Sequence, residues 1–230
     1  MKPVVVRNIQ RADSNATGTL AALGTSTVHE ALGRSGLMKT YMRPIWPGAL
    51  IGGPAVTVLA QPGDNWMLHV AIEQCQKGDV LVVGCTADNT DGMFGELLAT
   101  SLHARGVKGL IIDAGCRDVK ALKEMGFPVW LRAISSKGTV KATLGAVNIP
   151  VVCAGVNVEP GDVVVADDDG VVVVPKKLAA ETAQKAQKRN DDEDGKRKQL
   201  ASGELGLDMY NMREALAKAG LRYVDRPEDV

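Results

Sequence analysis

The chain has 230 residues, 45% of them hydrophobic and 23% charged, an ordinary globular composition at a length that can bury a substantial core. Lysine plus arginine and aspartate plus glutamate stand at 27 each, so the formal net charge is zero, which argues against a whole-molecule attraction to nucleic acid or to an anionic membrane. No apolar window reaches membrane-spanning length, the start MKPVVVRNIQRADSN is too briefly apolar for a secretory signal, and Cys75, Cys85, Cys116 and Cys153 form no CxxC pair, so inert thiols in the cytoplasm are expected.

An early helix is expected over 24–36, GTSTVHEALGRSG, with serine and threonine available as caps. Strand 54–60 (PAVTVLA) leads to PGDN, a turn and helix entry with Asp64 or Asn65 as cap, and then to a helix over 65–78 with apolar residues at helical spacing. Strand 79–84, helix 95–106, strand 107–113, helix 117–126 and strand 127–132 follow. That alternation predicts parallel strands joined by right-handed crossovers.

Strands at 149–155, 162–167 and 170–175 then come closer together. The last two read as a hairpin around an Asp-Gly turn, with Asp167, Asp168 and Asp169 as its polar residues. From Lys176 the sequence is rich in alanine and charge and poor in large apolar residues, which predicts a long helix that packs weakly on its own subunit and suits a neighbour. Within it NDDEDGKR (190–197) reads as a solvated face or helix break, and a final helix is expected over 207–220. The expected fold is α/β: a parallel βα core with barrel-like strands over 1–175, plus a helical extension over 176–230.

The stretch DAGCRDV (113–119) carries the chemistry. It ends a buried strand on a carboxylate and then places an arginine beside an aspartate. In a right-handed βαβ unit successive strand C-termini share one sheet edge, and each helix starts there. GELL (95–98) and RDV (117–119) should therefore be neighbours, although twenty residues separate Glu96 from Arg117. Helix starts offer unpaired N–H groups to an anion, Arg117 adds a bidentate cation, and Glu96 and Asp118 add hard oxygen ligands suited to magnesium or manganese. The same residues also fit a surface helix start in which Asp118 favours the helix dipole and Arg117 pairs with it. Spacing alone leaves the two readings even.

Other candidates carry less. His69 and Glu73 stand one helical turn apart with no third ligand at a zinc-protease spacing, and Glu30 alone reads as a surface or capping acid. GxxxxGK[ST], G-x-S-x-G and a GxGxxG after the first strand are all missing, which disfavours nucleotide-dependent chemistry and a serine elbow.

Taken together, PGDNWMLHVAIEQCQKGDVLVV, GELLATSLHARGVKGLIIDAGCRDV and VEPGDVVVADDDGVVVVP resemble the class II pyruvate aldolases of the 4-hydroxy-4-methyl-2-oxoglutarate / 4-carboxy-4-hydroxy-2-oxoadipate type, a superfamily that includes protein regulators of ribonuclease E activity. The resemblance runs from about Thr25 to past Glu193, and its most specific element is an acid, twenty residues, then Arg-Asp. The family pattern often has aspartate where this chain has Glu96.

The resemblance implies an αββα sandwich assembled as trimers or hexamers with sites between subunits. It implies Mg²⁺ or Mn²⁺ held directly by Asp118 and through water by Glu96. Gly95 and the N–H groups of Leu97 and Leu98, with Asn65 nearby, would hold the pyruvyl carboxylate, and Arg117 would face the keto oxygen. Glu30 matches the acid of aldolase-active members, and Glu193 an acid from the adjacent subunit. The implied activity is retro-aldol cleavage of a small 4-hydroxy-2-oxo acid to pyruvate, with secondary oxaloacetate decarboxylation. The alternative is a non-catalytic regulator of the ribonuclease E type that binds a protein.

Overall fold

The computed structural model describes residues 3–229. Its centre is a βα run: β3 (Ile51–Ala60), α2 (Trp66–Gln74), β4 (Val80–Cys85), β5 (Gly92–Phe94), α3 (Glu96–Ala104), β6 (Gly109–Cys116), α4 (Val119–Met125) and β7 (Val129–Ile134). Before it come β1 (Val4–Val5), α1 (Ser14–Ala31) and β2 (Arg43–Pro44), and after it β8 (Ala146–Val147), β9 (Val151–Cys153), β10 (Val156–Val158), β11 (Val163–Asp167) and β12 (Gly170–Val174).

Strands β3, β4, β6 and β7 pair in parallel in that order, as the alternation of strands and helices predicts. β-branched residues fill β4 and β6 because both faces of this sheet are covered. On one face Val56, Leu81, Leu110 and Ile112 pack with Leu68 and Ala71 of α2, Leu98 and Leu102 of α3 and Leu122 of α4. On the other, Val80, Val82 and Ile111 meet Val164, Ala166, Val171 and Val173 of the β11–β12 hairpin. The hairpin's far face, Val163, Val165, Val172 and Val174, is closed by Leu20 and Val28 of α1. The layers are thus helix, sheet, sheet, helix. Because β11 also pairs antiparallel with the first half of β3, the two sheets join at that edge and the strands curl toward a barrel.

Several boundaries differ from the sequence reading. The first helix starts at Ser14, where the Asp13 side chain accepts the Ala16 N–H at 2.9 Å, and it is broken at Gly24, whose φ of 76° suits only a residue without Cβ. The half beyond the break, which carries Glu30, is capped from far along the chain: Asp167 accepts from Thr25 N at 2.8 Å and Thr25 Oγ1 at 2.6 Å. The hairpin turn is Asp168-Asp169, with Gly170 opening β12 opposite Asp167, so the predicted Asp-Gly dipeptide sits one place later than the turn centre.

The chain divides into two compact units, Met1–Gln187 and Lys188–Val230. The first unit extends past the expected limit at 175 because α5 (Ala179–Ala201) begins there with Ala179, Thr182, Ala183 and Ala186 buried. The acidic cluster 190–197 does not break this helix. The second unit continues with α6 (Gly206–Met209) and α7 (Met212–Lys218), two short helices separated by Asn211 at φ 52° where one helix is predicted. Among the described residues no helix is long and apolar enough to cross a membrane.

Candidate active site

The site is built where β5 and β6 end side by side. Arg117 donates its backbone N–H to Phe94 O at 2.8 Å, which ties the residue after β6 to the strand that feeds α3. One residue later the chain turns sharply: Asp118 takes left-handed backbone angles, φ 60° and ψ 34°, a conformation that aspartate tolerates better than most residues. The turn swings its carboxylate over the start of α3, where Oδ2 accepts the Glu96 N–H at 3.0 Å. The two helix starts are therefore in contact, as the sheet-edge argument predicts. Asp118 Oδ2 also lies 3.7 Å from Arg117 Nε, with both side chains about half exposed.

Gly95 is the N-cap of α3 and offers no side chain to its first turn. With the Glu96 N–H taken by Asp118, helix geometry leaves the N–H groups of Leu97 and Leu98 without intrahelical acceptors. They open on a cleft of about 390 Å³ whose walls include Asn65, His69, Gly95, Glu96, Leu97, Leu98, Arg117, Asp118 and Lys141. Asn65 donates through Nδ2 to Met93 O at 3.1 Å, which orients its amide, and its Oδ1 is buried without a donor among the described residues. Burial, then the positive charge of Lys141, push the His69 imidazole below its usual value.

A helix start that keeps free N–H groups beside a guanidinium can receive a carboxylate. No group of three or more His, Cys, Asp or Glu is arranged as a metal cage among the described residues. The acids on the cleft are Glu96 and Asp118 alone. That donor set fits a hard divalent ion that keeps most of its waters and takes one or two protein carboxylates, rather than a zinc cage.

Seven of the nine predicted site residues, Asn65, Gly95, Glu96, Leu97, Leu98, Arg117 and Asp118, line this one cleft. Glu30 does not line it within the chain. It sits near the end of α1, 3.1 Å from Arg34 Nε. Glu193 lies in the second compact unit, 2.9 Å from Arg189 Nη2. Asp113, which opens the quoted heptad, faces away from the cleft. Its Oδ1 accepts from Tyr41 and from Arg132 Nε, both at 2.8 Å, and its Oδ2 accepts the Ala154 N–H at 2.9 Å. Arg132 also stacks 4.6 Å over the Tyr41 ring, so Asp113 braces the opposite face of the sheet. The thiols are inert as expected: burial pushes Cys75, Cys85 and Cys116 up to about 12 and Cys153 well above its usual value. Lys141 is the charged cleft residue that the sequence reading missed, along with the wall residues Gly92, Met93 and Phe94, and His69 is the one it assigned to structure.

Residues 25–173 match the RraA-like model, Aldolase/RraA, which covers most of the chain. The chain belongs to the RraA-like family. That match takes in Glu30, Asn65, Gly95–Leu98, Arg117 and Asp118 and ends before Glu193, short of the extent that the sequence resemblance suggests. Among RraA-like relatives, a Halalkalibacterium halodurans protein is 29% identical over 62% of this chain and 68% of its own length. A Burkholderia multivorans protein is 30% identical over 65% of this chain and 92% of its own length. Both carry the name "Putative 4-hydroxy-4-methyl-2-oxoglutarate aldolase". The fold is shared with a crystal structure from Streptomyces coelicolor described as an unusual member of the RNase ES inhibitor RraA protein family, at a TM-score of 0.74 and 29% identity over 83% of this chain and 99% of that one.

Proposed function

We propose that this RraA-like chain is a divalent-metal-dependent pyruvate aldolase. Its substrate would be 4-hydroxy-4-methyl-2-oxoglutarate or 4-carboxy-4-hydroxy-2-oxoadipate, cleaved to pyruvate plus a second pyruvate or oxaloacetate, with oxaloacetate decarboxylation as a side activity. The observation that carries this reading is the contact between Asp118 and the start of α3, which brings a carboxylate, a guanidinium and unpaired helix N–H groups onto one cleft. The names of the two bacterial relatives point the same way.

In this reading the N–H groups of Leu97 and Leu98, above Gly95, hold the carboxylate of the pyruvyl half. Asp118 would hold Mg²⁺ or Mn²⁺, with Glu96 acting through water, and the ion would supply an electron sink for the keto group. Arg117 presents fixed positive charge where the enolate oxygen develops, so it stabilises the transition state more than the bound substrate. The 4-hydroxyl proton must leave as the carbon–carbon bond breaks, and a proton must return to the methylene carbon of the enolate, making the methyl group of pyruvate. Glu30 and Glu193 are proposed for these transfers, delivered from a neighbouring copy in a trimer or hexamer. Uncovered apolar side chains support such an assembly, among them Leu97 at 84% exposure, Ile134 at 63% and Val152 at 61%.

Likeness to an RNase ES inhibitor family member favours a second reading, a protein-binding regulator with no chemistry of its own. Such a module has no need of a cation and two acids facing one cleft. Pyruvate release from both hydroxy-oxo acids, with and without divalent metal, separates the two. Metal-dependent release supports the aldolase, and none from either acid at any metal concentration overturns it.

A further inference from the structure

The loop between β7 and β8 runs along this cleft, and one buried carboxylate holds it there. Asp64 is 3% exposed and accepts three backbone N–H groups: Trp66 at 2.9 Å, Ala142 at 2.8 Å and Thr143 at 2.7 Å. Two backbone bonds extend the tether, Asn65 N to Val140 O at 3.1 Å and Val140 N to Gly63 O at 2.9 Å. Lys141 is therefore clamped on both sides, at Val140 and at Ala142, while its side chain lines the cleft. Its neighbour on the loop, Lys137, pairs with Asp91 at 2.9 Å, but Lys141 makes no ion pair among the described residues. Burial tends to push the Asp64 carboxyl up, yet the backbone N–H donors outweigh it and leave the group below its usual value, fully able to hold the loop.

The cleft thus carries two cations at separate places. Arg117 stands at the helix start that suits one carboxylate, and Lys141 stands on the tethered loop. Arg117 and Lys141 balance Glu96 and Asp118, so a divalent ion would leave two positive charges for a dianion to match. We propose that Lys141 is a specificity-determining residue that binds the second carboxylate of the ligand, on the half that departs as the bond breaks, and that Asp64 is its positioning residue. The catalytic setting of this assignment rests on the aldolase reading, but the ligand preference can be measured without turnover.

The test is calorimetric binding of pyruvate, with one carboxylate, and 2-oxoglutarate, with two and no hydroxyl to cleave, each with Mg²⁺. Wild type should prefer the diacid. Lys141→Met should weaken 2-oxoglutarate roughly tenfold, the worth of one charge-assisted hydrogen bond, while leaving pyruvate within about twofold. Lys141→Arg should restore most of the loss. Asp64→Asn, checked for folding by its melting temperature, should reproduce the selective loss and add little to it when combined with Lys141→Met. If Asp64→Asn does not fold, Thr143→Pro, which deletes one tethering N–H, takes its place. Wild type without preference for the diacid, or a Lys141→Met that weakens both ligands equally or neither, overturns the ligand assignment. A tether variant with unchanged selectivity overturns the role of Asp64. Failure of the aldolase reading shows separately, as absence of pyruvate release by wild type.

Discussion

A methyl group added at Gly95 would sit 2.3 Å from Oδ2 of Asp118 and 3.0 Å from Cγ of Arg117. The backbone at Gly95 is extended, φ −166°, so any residue could adopt it and only the close approach excludes a side chain. Gly95→Ala should therefore fold, at a cost of about 1–3 kcal/mol for overpacking, but push Asp118 off the start of α3. Pyruvate formation should fall by ~10² or more, since small displacements of positioned groups are that costly. Wild-type turnover in this variant would show that the Asp118 placement is not needed.

Asp118→Ala removes the acceptor of the Glu96 N–H, and the lost cap should cost about 1 kcal/mol in denaturant unfolding. Its effect on turnover should be far larger, with pyruvate release abolished at any concentration of Mg²⁺ or Mn²⁺. In wild type, chelator should stop the reaction and either ion should restart it. Full turnover by Asp118→Ala in chelator would remove the metal from the mechanism.

Arg117→Lys keeps a positive charge but loses the planar fork. Removal of one fixed donor from a developing oxyanion typically costs ~10²–10³ in kcat, and the loss should appear in aldol cleavage and oxaloacetate decarboxylation alike. A change confined to KM would make Arg117 a ground-state binder.

The Tyr41 hydroxyl is pushed up to about 12, first by burial and then by its hydrogen bond to Asp113. A phenol whose folded value lies above its usual 10 binds its proton more tightly in the folded state. Its stabilisation is therefore complete below pH about 10 and is lost as pH rises toward about 12. Unfolding of wild type and Tyr41→Phe should diverge below that window and converge through it. A constant difference across the range would show that Tyr41 does not titrate late.

Glu30 does not line the cleft within the first compact unit, and the proposed function has Glu193 supplied by a neighbouring copy. Sedimentation should show a trimer or hexamer. Glu30→Ala should impair aldol cleavage more than oxaloacetate decarboxylation, which has no 4-hydroxyl proton to remove. Mixing inactive Glu193→Ala with inactive Arg117→Ala should recover part of the activity if the acid crosses between copies. A fully active monomer would discard this arrangement.

The parallel run from β3 to β7 is legible in sequence because each strand is a β-branched run bounded by glycine or proline and each helix keeps its apolar spacing. The meeting of Glu96 with Asp118 follows from that topology by the hand of the crossover alone. β5 is not legible, since Gly92–Phe94 is three residues with no alternation and takes its place only by pairing with the end of β6. Asp113 was recoverable from period two: Ile112 and Ala114 share one face, which leaves the acid on the other. Lys141 had no local signal at all, because the polar loop that carries it is shaped by a carboxylate some eighty residues earlier.

The cap that Asp167 places on Thr25 has a consequence for how the chain is made. The first half of β3 also finds its antiparallel partner only in β11, more than a hundred residues later. As the chain leaves the ribosome, the segment with Glu30 has no anchor for its first turn until residue 167 has emerged, and one edge of β3 waits just as long. Loop closure over such distances is slow, and an exposed strand edge is a site where two nascent chains can pair wrongly. The βα units between them can collapse locally, but the helix–sheet–sheet–helix stack closes only when the hairpin arrives. Closure of the stack should therefore wait on the late hairpin rather than on the parallel core, and any fragment that stops before it leaves the half-helix of Glu30 without its Asp167 cap.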